Sequence, residues 1–173
     1  RLIRSGHARP DEILALTYAD NAAGEVRDRV KKELDQDVSK LQAVTFHAYC
    51  NGLLHRTGNQ FNVLDDKDLW IFLRRRIREL HLQHFVRAAN VGQFLTDLLD
   101  FIRRCQDELV TPDQYQNYVD RLCKKELRLP RVAKSKDALP EEEALERCQE
   151  IAGVFTTVER WLAERNLGTF GHM

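Results

Sequence analysis

The stretch "ILALTYADNAAGEVRDRV", Ile13 to Val30, decides the fold. It opens with four apolar residues in a row, Ile13 to Leu16, a pattern that suits a strand covered on both faces. It turns polar at Thr17 and passes at Asp20 into a helical pattern that runs to about Leu34, with Ala22, Ala23, Val26 and Val30 on one stripe. The same transition recurs at "LQAVTFHAYCNGLLHR". There Leu41 to Phe46 reads as a second short strand, and His47 to about Arg56 as a second helix carrying Leu53 and Leu54. Two strand–helix units this close suggest a piece of a parallel α/β sheet. Two strands alone make a poor sheet, so sheet partners are expected outside this sequence.

After "RTGNQ" the pattern becomes helical throughout, and no further strand is expected. "LDDKDLWIFLRRRIRELHL" starts on Asp65 or Asp66 as N-cap and buries Leu69, Trp70, Phe72, Leu73, Ile77 and Leu80. "NVGQFLTDLLDFIRRCQDEL" repeats the arrangement, with Asn90 as cap and Phe94, Leu95, Leu98, Leu99 and Ile102 inward. "TPDQYQNYVDRLCKKEL" places Thr111 at the N-cap and Pro112 at the first helical position. "RLPRVAKSKDALP" has the composition of a linker. A long helix follows from Pro140, with Glu141 to Glu143 complementing its dipole. Its stripe is Ala144, Leu145, Cys148, Ile151, Ala152, Phe155, Val158 and Leu162, and Gly168 is the expected stop.

The totals exclude several classes. Hydrophobic residues make up 43% and charged residues 31% of 173, a globular balance. Lys and Arg number 27 and so do Asp and Glu, so any basic site is local rather than global. No apolar run approaches a membrane span and no signal-peptide pattern is present. Cys50, Cys105, Cys123 and Cys148 lie far apart with no C-x-x-C, which argues against structural zinc and for a reducing compartment. A first residue other than Met leads us to expect an excerpt of a longer polypeptide.

In open parallel sheets, ligands bind at the carboxyl ends of the strands. Thr17-Tyr18 and Thr45-Phe46-His47 both sit at such ends. Each set offers a hydroxyl, an aromatic ring and helix N-terminal amides. Amides and hydroxyls hold phosphates and rings stack on bases, so the set suits a nucleic-acid strand. Taken singly, each site favours the reading of a turn-capping Thr beside a core aromatic, Tyr18 or Phe46; the recurrence at two strand ends favours the ligand reading. His47, Cys50 and His55 do not form a paired ligand set, so no metal site is assigned. No G-x-x-x-x-G-K-[ST] loop occurs in the sequence, and no local Ser/His/Asp arrangement does either. Carboxylate pairs such as Asp65-Asp66 and Glu141-Glu142 fall at helix starts, where they cap. Arg74, Arg75, Arg76 and Arg78 read as a solvated helix face. In "RLCKKELRLPRVAKSK", Arg121, Lys124, Lys125, Arg128, Arg131, Lys134 and Lys136 surround a single acid, Glu126, and the run reads equally as a phosphate contact or as a solvated loop.

These pieces resemble the UvrD/Rep-like superfamily 1 DNA helicases. The first stretch resembles motif Ia of that family, a strand ending in Thr-(Phe/Tyr)-Thr-Asn followed by Ala-Ala and Glu-x-x-x-Arg. Here it is carried by Thr17, Tyr18, Ala19, Asp20, Ala22, Ala23, Glu25 and Arg29. "VTFHAYC", Val44 to Cys50, resembles the following Thr-Phe-His motif. "FNVLDDKDLWIFLRRRIREL" is similar to the start of the helical subdomain inserted into the first motor domain, and "ERNLGTFGHM" to the return segment. Ala19 and Asp20 depart from the pattern, removing a hydroxyl and adding a negative charge where the family usually has Thr and Asn.

The resemblance implies a mainly α fold, with a helical insertion subdomain and a partial parallel α/β (RecA-like) remnant at the N-terminus. Residues 1–57 would be part of the motor domain, 58–167 the insertion and 168–173 the return toward the motor. It implies single-stranded DNA contacts at Thr17, Tyr18, Asn21, Thr45, Phe46 and His47, with Lys124, Lys125, Arg128 and Arg131 touching DNA from the insertion. The parent would be an ATP-dependent helicase or translocase of DNA repair or recombination, acting on single strands and single/double-strand junctions, using ATP and Mg²⁺. This stretch would hold no cofactor and no catalytic residue, and alone would be inactive. A cytoplasmic location follows, nucleoid-associated in a bacterium, with no membrane partner. Dimerisation through unpaired motor elements is one expected consequence. Two alternatives stand beside this reading: part of an AddA/RecB-type helicase–nuclease, or a non-catalytic helical interaction module.

Overall fold

The computed structural model describes residues 1–34, 37–85, 91–130 and 139–173. The chain divides into two compact units, one of Arg1–Gln60 with Met173 and one of Phe61–His172.

The first unit holds β1 (Leu14–Thr17), α1 (Asp20–Leu34), β2 (Gln42–Thr45) and α2 (Phe46–Arg56). β1 and β2 are parallel, with Leu14 opposite Gln42 and Thr17 opposite Thr45. α1 is the crossover between them and packs on both strands. Ala23, Val38, Leu41 and Ala43 are the buried apolar residues of this unit. The expectation of a strand covered on both faces is not met: Leu14 is 40% exposed. β1 has one neighbouring strand, and its remaining residues, Ala15 to Thr17, are only partly buried.

In the second unit, α3 (Asp66–Arg76), α4 (Val91–Asp107), α5 (Pro112–Cys123) and α6 (Glu141–Glu164) form a bundle. Asp65 caps α3 by accepting from the Asp68 amide at 2.7 Å. Asn90, expected to cap α4, lies outside the described residues. Thr111 caps α5 reciprocally: its hydroxyl accepts from the Gln114 amide at 3.3 Å, and the Gln114 carboxamide accepts from the Thr111 amide at 2.9 Å. Thr111→Ala is expected to lower stability by about 1 kcal/mol. Thermal unfolding followed by circular dichroism checks this, and an unchanged midpoint would remove the cap from the account.

The core joins Leu69 and Leu73 of α3, Leu95, Leu98 and Ile102 of α4, and Phe155, Val158 and Leu162 of α6. Val154 and Trp161 are also buried, although they lie off the stripe read from the sequence. α6 packs against more than one neighbour, so its apolar face is wider than one stripe.

Two sequence expectations are corrected here. Two more strands exist, β3 (Asn62–Val63) and β4 (Leu167–Gly168), paired in parallel. Each is two residues long, too short for any period to register. Gly168 is not the stop of α6; the helix ends at Glu164, and Asn166 at φ 52° makes the left-handed turn. Gly168 instead lies within β4, where a Cβ would stand 2.4 Å from the Phe61 ring. Beyond it the chain is fastened by a closed polar ring. Thr169 donates from its hydroxyl to the Gln106 carbonyl at 2.8 Å, and Gln106 donates to Glu159 at 2.9 Å. His172 lies 2.8 Å from Glu159 through Nε2, while its Nδ1 accepts from the Thr169 amide at 3.0 Å. That amide fixes the tautomer, leaving Nε2 to carry the proton toward Glu159.

Candidate nucleic-acid interface

The parallel register sets Thr17 and Thr45 side by side at the carboxyl ends of β1 and β2, and each strand passes directly into a helix. The Thr17 hydroxyl donates to the Ala19 carbonyl at 3.0 Å, closing a tight turn with Tyr18 at its crest. The Ala19 carbonyl then accepts from the Ala23 amide at 3.2 Å, the first bond of α1. Thr45 is the N-cap of α2 and accepts from the Ala48 amide at 3.2 Å. Both hydroxyls are therefore committed to holding the backbone, as the turn-capping alternative held. The rings are not core. Tyr18 is 93% exposed and Phe46 41%. Their centroids are 5.2 Å apart at an interplanar angle of 41°.

A large apolar ring gains nothing from burial at that exposure. What orders it is the turn below and the Phe46 ring beside it, which leaves most of Tyr18 open to a stacking partner. Asn21 and His47 are exposed in the first turns of α1 and α2, on the same end of the sheet. The two helix starts differ electrostatically. α1 carries Asp20 in its first turn, whereas α2 carries no acid there. Helix N-terminal amides favour an anion, and only at α2 does no side-chain charge oppose it. That distinction was available in the sequence, since residues 46–49 read Phe-His-Ala-Tyr.

Lys124, Lys125 and Arg128 belong to the second unit. Lys124 is the C-cap of α5, and Lys125 takes a left-handed φ of 60° while its amide donates to the Leu122 carbonyl at 2.9 Å. All three cations are exposed, while Arg121 pairs with Glu126 at 3.4 Å. Arg131, Lys134 and Lys136 lie outside the described residues. Arg74, Arg75 and Arg78 are exposed, and Arg76 lies over the Phe72 ring at 4.1 Å. Among the described residues no group of three or more His, Cys, Asp or Glu is placed to hold a metal ion. The four cysteines are free. Burial pushes the Cys105 and Cys148 thiols up from their ordinary range, which keeps them protonated and poor as ligands or nucleophiles.

A family model, the UvrD/REP helicase N-terminal domain, matches residues 1–173. The chain is similar to the probable DNA helicase II homolog of Mycoplasma pneumoniae, 35% identical over 93 residues, covering 53% of this chain and 13% of that protein. It is 29% identical over 122 residues to the ATP-dependent DNA helicase PcrA of Bacillus subtilis, covering 66% of this chain and 15% of that one. It is 27% identical over 88 residues to the ATP-dependent DNA helicase SRS2 of Saccharomyces cerevisiae, covering 46% and 8%. The chain thus spans at most 15% of the length of these three relatives.

Proposed function

This chain belongs to the UvrD/REP helicase N-terminal domain family, and from that premise we propose that it supplies the single-strand-gripping part of an ATP-dependent DNA helicase that acts in repair or recombination. The observation that carries the reading is the pair of rings at the sheet's carboxyl end, Tyr18 almost fully exposed beside Phe46, above the register-paired Thr17 and Thr45. A base stacks on Tyr18, and Phe46 backs that ring. A phosphate sits at the acid-free N-terminus of α2, beside His47. Thr17 and Thr45 fix the two turns. Residues 1–57 act as motor-domain structure, 58–167 as the inserted helical subdomain and 168–173 as the return; the separation of two compact units near Gln60 supports that division. Lys124, Lys125 and Arg128 add phosphate contacts from the helical subdomain, at a strand or a single/double-strand junction.

ATP and Mg²⁺ belong to the longer polypeptide, since the sequence carries no phosphate-binding Gly-rich loop with Lys and Ser/Thr. This chain alone is expected to bind an oligothymidylate and to turn over no ATP. The test is fluorescence anisotropy across a salt series, alongside phosphate release with and without DNA. Lys124→Glu with Lys125→Glu should flatten the logarithmic salt slope by about 1.4 if both lysines release a counterion from a single strand. An unchanged slope removes those lysines from the interface, and DNA-stimulated ATP turnover by this chain overturns its assignment as a non-catalytic part.

A further inference from the structure

The polar ring that fastens the end of the helical unit is complete only with a neutral imidazole. Each donor in it meets an acceptor. The Thr169 hydroxyl donates to Gln106, Gln106 and His172 Nε2 both donate to Glu159, and His172 Nδ1 accepts from the Thr169 amide. The same turn is closed from its other side, because the His172 amide donates to the Thr169 carbonyl at 3.1 Å. Thr169 is buried, and a Cβ on Gly171 would overlap the Gln106 carboxamide, so the turn sits close on that side chain.

A proton added to His172 enters at Nδ1, the ring nitrogen without a hydrogen, and turns that acceptor into a donor. Nε2 keeps its bond to Glu159. The Thr169 hydroxyl oxygen lies 3.0 Å from Nδ1 and can accept from it while still donating to Gln106. The Thr169 amide is the group left without an acceptor. A buried donor so placed carries its full desolvation penalty, and native structures rarely keep one. Protons reach the site, since the His172 and Glu159 side chains are 27% and 19% exposed. Among the described residues, Glu159 of α6 is the charged group bonded to the imidazole. From α4, Gln106 is neutral, burial keeps the Cys105 thiol protonated, and Asp100 and Arg103 pair with each other in the groove beside Thr169. α3 adds Asp66 and Lys67 to that groove. The Phe61 ring stands edge-on to the imidazole at 6.0 Å.

We infer that His172 is a protonation-sensitive latch: neutral, it fastens the Thr169–His172 turn to α4 and α6; protonated, it strips the Thr169 amide of its acceptor and loosens that turn while the bundle stays folded. The inference is independent of DNA binding, because none of its residues belongs to the strand-gripping set.

The test is NMR on the 173-residue chain across a pH series. The His172 ring nitrogen shifts report its titration directly, and amide exchange is read as protection factors, which remove the intrinsic pH dependence of exchange. Between the basic and acidic limits of that titration, Thr169 protection should fall about tenfold, the effect of one buried donor losing its acceptor. Leu98 in α4 and Val158 in α6 should keep theirs. His172→Gln retains a donor and an acceptor that do not titrate, so it should erase the step; pH effects from any other group, the Met173 carboxylate included, would persist in it. In the unaltered chain, the ring nitrogen shifts should also show Nδ1 without a hydrogen in the neutral form, which keeps the test valid should the variant fail to fold. Thr169 protection that stays constant across the titration, a fall shared by Leu98 and Val158, a step retained in His172→Gln, or a neutral ring with its proton on Nδ1 each overturns the proposal.

Discussion

Tyr18→Ala is expected to weaken single-stranded DNA binding by about tenfold to a hundredfold, while Thr17→Val and Thr45→Val act mainly on folding. The asymmetry follows from where each group is spent. The Tyr18 ring is 93% exposed and touches Phe46 on one side, so its removal costs the fold little. A stacked base contributes about 1–3 kcal/mol per ring, and each 1.4 kcal/mol is about tenfold in affinity. The Thr45 hydroxyl already accepts from the Ala48 amide, so Thr45→Val should cost about 1 kcal/mol as a lost cap. Tyr18→Phe should bind nearly as the unaltered chain does, because the stacking face is retained. Anisotropy with a labelled oligothymidylate at one fixed salt concentration measures all four. A Tyr18→Ala variant that binds within twofold of the unaltered chain would sink the stacking role, whatever the other three do.

The strand–helix pairs were legible because three signals coincided: an apolar run, a Thr ending it and a helical stripe starting at once. Local chemistry fixes such elements within a few residues. β3 and β4 were not legible, since Asn62–Val63 pairs with Leu167–Gly168, which the helices of the bundle separate from it in sequence. Nothing local marks a two-residue strand, and Gly168 read as a helix stop because its real neighbour, the Phe61 ring, is remote in sequence. The stripe on α6 was legible on one side only. Val154 and Trp161 are buried by packing against neighbours the pattern does not name. For the proposed interface, the position of its residues at the strand ends was legible but their exposure was not. Sequence placed hydroxyls and rings together at two strand ends and offered the turn-capping use of the hydroxyls, yet gave no sign that the rings would stay outside. Exposure is a property of what covers a side chain, and a two-stranded sheet covers little. The left-handed Lys125 likewise escaped notice, because a non-glycine residue at φ 60° is set by the bonds that close α5 and not by its own preference.

Phe155→Ala should be the most damaging single change in the helical unit, lowering its stability by about 3–5 kcal/mol. Phe155 is 1% exposed at the middle of α6. Its ring meets the Phe101 ring of α4 at 5.7 Å and the Tyr115 ring of α5 at 6.4 Å, both edge-on at 81° and 75°. One side chain thus ties three helices, and truncation leaves a hole that rigid neighbouring rings cannot collapse into. Phe155→Leu keeps most of the volume and should cost roughly 1–1.5 kcal/mol. Against a typical total of about 5–15 kcal/mol, the alanine variant should show a marked drop in its denaturant midpoint with little change in slope. The readout that assigns the loss is amide hydrogen exchange: protection in α4, α5 and α6 should fall together, because the ring is their common contact. The Leu14–Thr17 and Gln42–Thr45 amides should already exchange faster in the unaltered chain, since the eight largest fully buried side chains, from Phe155 to Val158, all lie between Leu73 and Leu162. Equal protection in the sheet and the bundle would mean that the two-stranded sheet is held by more than its own small core, and a loss below about 1.5 kcal/mol for Phe155→Ala would show that the three helices do not depend on this ring.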